Sequence, residues 1–256
     1  MEALSLTLIG GPTVLIETGG VRLLTDPTFD PAGGSYALPH VTLEKLAGPV
    51  LAADALGRLD AVLLSHDQHA DNLDHAGRDL LGRVPLVLTT EPAAARLGGA
   101  ARGLAPWQSA TVPMAGGELV VTATPARHGP VGIEPLAGAV VGFLLGRKEP
   151  GDLLYVTGDT VWYEGVAEVA RRCRPRAVLL FAGAARTRGA IHLTMDANDA
   201  LETAAAFPRA RLFAAHTDGW AHFTESGEAL ERAFATVGLG GRLTVLRLGR
   251  TEQADD

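Results

Sequence analysis

Asp60-Ala61-Val62-Leu63-Leu64-Ser65-His66-Asp67-Gln68-His69-Ala70-Asp71-Asn72-Leu73-Asp74 runs from an apolar strand straight into a burst of imidazoles and carboxylates. Residues 61–64 read as a strand of a covered sheet, because a fully apolar run bounded by polar residues suits burial on both faces. His66 and His69, with Asp67, Asp71 and Asp74, then crowd one short loop. Left unpaired, these groups would lose hydration and repel one another, and a cation removes that cost. The stretch is expected to be a metal-binding loop at a strand end.

A divalent ion takes about four to six ligands, so partners from elsewhere are required. Residues 120–123 lead into Thr124-Pro125-Ala126-Arg127-His128-Gly129, and residues 153–157 into Gly158-Asp159-Thr160. Residues 212–215 lead into His216-Thr217-Asp218-Gly219-Trp220. Each is an apolar run that closes on His or Asp. Strand ends converge on one edge of a sheet sandwich, and strands hold ligands more rigidly than free loops do.

This ordered series resembles the metallo-β-lactamase superfamily, and within it the ascorbate-phosphate-lactonase-like and phospholipase-D-like hydrolases. Gly10-Gly11-Pro12-Thr13-Val14-Leu15-Ile16-Glu17 and Arg22-Leu23-Leu24-Thr25-Asp26-Pro27 look like the first hairpin and Asp-Pro turn of that branch. Its His-x-His-x-Asp-His loop, lone His, Gly-Asp pair and last His correspond to 66–72, His128, Gly158-Asp159 and His216. The resemblance spans nearly the whole chain. It implies an α/β fold: a four-layer αββα sandwich of two mixed β-sheets flanked by helices, in one domain over residues 1–256. It also implies a first metal held by His66, His69 and His128, with Asp159 bridging to a second held by Asp71 and His216. Zinc, as one or two ions, is the expected cofactor, and the carboxylates also admit Mn or Fe. Such an ion lowers the pKa of its water from 15.7 to about 7 and polarises the electrophile.

The loop departs from the family pattern. With His66 first, His69 takes the second ligand place only if one residue is inserted, whereas Gln68 holds that place without it. A second register starts at Asp67 and leaves His66 outside; the strand ending at Leu64 favours His66. Asn72 stands where the family has its last imidazole, which weakens the second metal position. Asp71 can take up a proton from the water where the second ion is absent or weakly held.

Each residue also has a structural reading. Asn72 is a good N-cap for a helix over 73–81, and Asp74 in its first turn suits the helix dipole. His75 reads as solvated, and His40 as a surface residue of a Pro- and Gly-rich loop. Asp26 either shapes a turn before Pro27 or supports the metal loop from beneath. His128 alone would read as a packed histidine; its place in the series makes it a ligand. Ile191-His192-Leu193-Thr194-Met195-Asp196 precedes an alanine-rich helix, and Trp220-Ala221-His222-Phe223 follows the last ligand. His192 and His222 are therefore candidates to steady an oxyanion or leaving group, or else packed cap or core histidines. Trp162 and Tyr163 line the pocket or join the core.

A chain of 256 residues with 47% apolar content can bury one large core. Mean hydropathy is +0.16. No stretch is long and apolar enough for a membrane span and no basic-then-apolar signal opens the chain, so a cytoplasmic location is expected. A net charge of −7 without a Lys/Arg stripe argues against a nucleic-acid partner. Cys173 is the single cysteine and reads as structural. Residues 26–39 read as a surface loop able to act as a lid. Helices are expected at 92–97, 165–173, 197–206 and 228–237, and 251–256 as a frayed tail. The functional expectation is a metal-dependent hydrolase of a small-molecule ester, lactone or phosphodiester, with Asp71, His192 and His222 as catalytic candidates. The competing expectation is a degenerate member that binds a metabolite without turnover. Self-association stays open.

Overall fold

The computed structural model of the protein describes residues 3–39, 41–187 and 189–254, so His40 lies outside the described residues. Three antiparallel strands come first: β1 (Leu4–Gly10), β2 (Thr13–Thr18) and β3 (Val21–Thr25). A separate hairpin, β4 (Ser35–Leu38) and β5 (Val41–Glu44), follows. Parallel strands β6 (Ala61–Leu63), β7 (Val87–Thr89) and β8 (Ala101–Gly103) then join β3 through α1 (His75–Leu81) and α2 (Glu91–Leu97). The second half begins with antiparallel β9 (Ser109–Met114), β10 (Gly117–Pro125), β11 (Val141–Gly146) and β12 (Leu154–Val156), with α3 (Glu134–Ala137) inserted before β11. It ends in parallel β13 (Ala177–Phe181), β14 (Arg211–Ala215) and β15 (Leu243–Val245). Helices α4 (Glu164–Arg172), α5 (Ala197–Ala206) and α6 (Gly227–Thr236) make the crossovers, and β16 (Thr251–Gln253) returns to pair with β1.

The strand orders are β16-β1-β2-β3-β6-β7-β8 and β15-β14-β13-β12-β11-β10-β9. Side-chain alternation explains why both sheets are covered on both faces. In β13, Ala177, Leu179 and Phe181 enter the core between the sheets, while Val178 and Leu180 face α4, α5 and α6. In β6, Ala61 and Leu63 face the inter-sheet core; Val62, with Leu64 just beyond, packs against Leu80 and Leu81 of α1. Each such aliphatic or aromatic side chain contributes about 1.5 to 3 kcal/mol on burial. The result is the expected αββα sandwich of two mixed sheets. No helix among the described residues is long and apolar enough to cross a membrane.

Four local expectations are corrected. Helix α1 starts at His75, and its N-cap is Asp74, whose carboxylate accepts from Gly77 N, so Asn72 is not the cap. Within 26–39, residues 35–38 are a strand: Tyr36 and Leu38 lie opposite Leu43 and Val41, which gives the hairpin an apolar face. Residues 251–253 are not frayed, since β1 would otherwise leave its edge hydrogen bonds unmade, and Ala254 beyond them is buried. Cys173 is buried but lies just past the end of α4.

Candidate metal centre

The loop after β6 is fixed from behind. Asp26, the residue after β3, is fully buried and accepts hydrogen bonds from Ser65 N at 2.9 Å and Ser65 Oγ at 2.6 Å. With its proton committed to Asp26, Ser65 Oγ accepts from His66 Nδ1 at 2.9 Å, which leaves His66 Nε2 as a free lone pair. His128, beyond β10, is set the same way, as its Nδ1 donates to the Leu193 carbonyl at 2.8 Å. Their free nitrogens meet that of His69. His66 Nε2 is 2.8 Å and His128 Nε2 is 3.1 Å from His69 Nδ1. Asp67 turns away to pair with Arg96, whereas His66 stays grouped with His69 and His128.

A second group forms beside the first. The ligand atoms of Asp71, Asp159 and His216 lie within 4.8 Å of one another, as do those of His66, His69 and His128. Asp159, beyond β12, faces both groups: Oδ2 is 3.6 Å from His128 Nε2 and Oδ1 is 3.8 Å from His216 Nδ1. Gly158 makes this presentation feasible, because its φ is +61° and a Cβ there would sit 2.7 Å from the Val141 carbonyl. His216, the residue after β14, also has a positive φ, 58°, and its N–H donates to Gly11 O at 3.0 Å. Such strain in a non-glycine residue is characteristic of functional sites.

The donor set fits a divalent cation. Both oxygens of Asp159, Asp71 Oδ1 and both nitrogens of His216 are buried without a hydrogen-bond partner. Leaving so many charged or polar atoms unsatisfied costs several kcal/mol unless a cation takes their lone pairs. The electrostatics agree. Burial, then the neighbouring His69 and His128 rings, hold His66 well below the usual imidazole range, and burial and His128 bring His69 down to about 4. Both are thus neutral, the form a metal binds. Burial would raise Asp71, but His222 and His216 beside it hold it well below the usual carboxylate range. Burial would lower His216; Asp159 and Asp71 raise it instead.

The family model described as Beta-lactamase superfamily domain matches residues 21–217. The chain belongs to the metallo-β-lactamase superfamily. UPF0173 protein YddR of Bacillus subtilis is 24% identical over 250 residues, covering 94% of this chain and 96% of its own. An isothiocyanate hydrolase from Delia radicum gut bacteria superposes with a TM-score of 0.82 at 24% identity, over 97% of this chain and 98% of the other. A metallo hydrolase from the archaeon Ignicoccus hospitalis gives a TM-score of 0.73 at 20% identity, over 98% of each chain.

The six candidate ligands therefore converge in three dimensions, and the remaining candidates divide. His222 enters the site, with Nε2 2.9 Å from Asp71 Oδ2. His192 is turned to α5, its Nε2 3.1 Å from Asp199 Oδ2. Trp162 and Tyr163 pack against the helical side of the second sheet. His75 is exposed, beside Asp30. The aromatic walls of the ligands are Phe181 and Phe223, whose rings lie 5.3 Å and 4.7 Å from His216. Sequence reading missed Ser65 and the Leu193 carbonyl as supports, although Ser65 stands directly before His66. It also missed a cleft over His69, Asp71, His128 and His222, walled by Leu38, Val41 and Leu43 of the hairpin and by Ile133, Leu136, Ala137 and Leu193. The alternation of Leu38, Val41 and Leu43 was the available signal.

Proposed function

We propose that the protein is a metal-dependent hydrolase of a neutral small molecule, an ester or lactone carrying a compact apolar group. One observation carries this reading: His69, Asp71, His128 and His222 form the floor of a cleft whose walls are apolar, next to the buried, unpartnered Asp159 and His216. His66, His69 and His128 would hold one cation, with Asp159 between it and a second at Asp71 and His216. A divalent ion bound there supplies Lewis acidity and makes hydroxide available at neutral pH. Among the described residues no Lys or Arg lines the cleft, so apart from a bound cation no side chain there attracts a phosphodiester, and Asp71 repels one.

The chain's own groups supply the rest. Leu43, Ile133 and Leu193 exclude water around the substrate and strengthen the electrostatics of the floor. Where the second cation is absent, Asp71, kept ionised by His222 and His216, is placed to accept the proton released when water attacks. His192, paired with Asp199, is given no step. A second reading is supported by the isothiocyanate hydrolase with the same fold, because an isothiocyanate is also a neutral electrophile that an apolar cleft accepts.

The test is elemental analysis of chelator-free protein followed by assay on aryl esters, lactones, isothiocyanates and bis-p-nitrophenyl phosphate. About one Zn, Mn or Fe or more per chain, turnover of a neutral substrate and loss of both in His128→Ala are expected. Metal far below one per chain, with no gain in stability on adding Zn, would return the protein to metabolite binding. Preferential turnover of the phosphodiester would overturn the substrate class.

A further inference from the structure

The superfamily's last loop imidazole is replaced by Asn72, which brings no imidazole nitrogen to the second cation group and leaves its own Oδ1 buried without a partner. It is fully buried, and its Nδ2 points back to Ser65 Oγ at 3.5 Å, on the side of Asp26. Another imidazole occupies the neighbourhood instead. Asp71 Oδ2 lies between two rings, 2.9 Å from His222 Nε2 and 3.5 Å from His216 Nε2. The His222 side chain is 8% exposed, and its Nδ1 is buried without a partner.

The segment that carries His222 is held firmly enough to position a ligand. Ala221 N donates to Glu44 O at 3.0 Å, and the His222 carbonyl accepts from Arg186 N at 2.9 Å. Phe223 packs against both His216 and His222, each at a ring separation of 4.7 Å. From this geometry we propose that His222 supplies the nitrogen that Asn72 lacks, so that Asp71, Asp159, His216 and His222 hold the second cation. This rests on the metal-dependent reading above. With its ring proton moved to Nδ1, His222 Nε2 would offer its lone pair to a bound cation instead of a proton to Asp71. The second position then has two nitrogens and two carboxylates, a set suited to Zn, Mn or Fe. Replacing a ligand across the fold is feasible because what matters to the ion is the location of the nitrogen, not its place in the chain.

The experiment uses the full chain, metal-free and then titrated with Zn or 113Cd. Wild type should take up two ions, and His222→Gln one tight ion plus a second bound at least about 100-fold more weakly. Asn72→Ala should still take two. In 15N-histidine, 113Cd-loaded protein, the His222 ring nitrogen should show scalar coupling to cadmium, its signal assigned by its loss in His222→Gln. A His222 that keeps its Nε2 proton and shows no coupling is only a hydrogen-bond partner of Asp71, which overturns the proposal even if metal content falls. Wild type with one ion, unchanged in His222→Gln, overturns it while leaving the hydrolase reading intact. Wild type that binds no metal defeats both readings.

Discussion

Asp26 is the residue on which the metal loop rests, and its buried carboxyl is under tension. Burial, offset in part by the Ser65 hydroxyl and reinforced by the nearby Asp159 carboxylate, raises it from its ordinary 3.8 to about 8. The folded chain therefore binds a proton there that the unfolded chain has released between those two values. Stability must fall as pH rises through that window, by at most about 1.4 kcal/mol per pH unit for one proton. Asp26→Asn keeps an oxygen for Ser65 but cannot ionise. Urea unfolding of the chelated proteins should show the variant gaining on wild type by roughly 1 kcal/mol per pH unit between pH 5 and 7; parallel stability curves would contradict this. The role of Asp26 was half-readable, since an Asp-Pro turn suggests either a bend or a support, and the choice depends on Ser65 arriving from a different strand.

The hairpin of β4 and β5 is the element that turns a metal floor into a cleft, and Lys45 pins it. Lys45 Nζ meets Asp74 at 2.7 Å with both side chains buried, and Asp74 also accepts from Phe29 N, Asp30 N and Gly77 N. Leu46 N and Ala47 N both donate to Gly219 O, tying the hairpin to the loop that bears His222. Removing one member of a buried pair strands the other, at a cost of about 3 to 5 kcal/mol. Lys45→Met should lose roughly 3 kcal/mol by urea midpoint, and combining it with Asp74→Asn should cost less than the sum of the single changes by at least about 1 kcal/mol. Strict additivity would show that the two charges do not depend on each other. None of this was legible locally: Asp74 reads as a first-turn acid of the helix, nothing along the chain singles out Lys45, and their pairing is a contact between separate segments.

At the level of the whole molecule, two mixed sheets place the six metal-ligand candidates on one edge, and the sandwich and the site stabilise each other. A cation that binds only the folded form adds about 2.7 kcal/mol at a concentration 100 times its Kd. For a chain of this size Zn should raise Tm by roughly 5 to 10 °C. His128→Ala should abolish most of that shift while His192→Ala leaves it in place. Equal shifts in the two variants would mean that zinc binds elsewhere.

The ordered strand ends, the buried character of 61–64 and the identity of His66, His69, Asp71, His128, Asp159 and His216 as candidates could all be read along the chain. These depend on local periodicity and on residue chemistry, which sequence carries directly. The duty of Asn72, the placing of His222 against Asp71 and the apolar walls over the site could not. Each depends on distances between segments far apart in the chain, and packing of the two sheets, not any local preference, sets those distances.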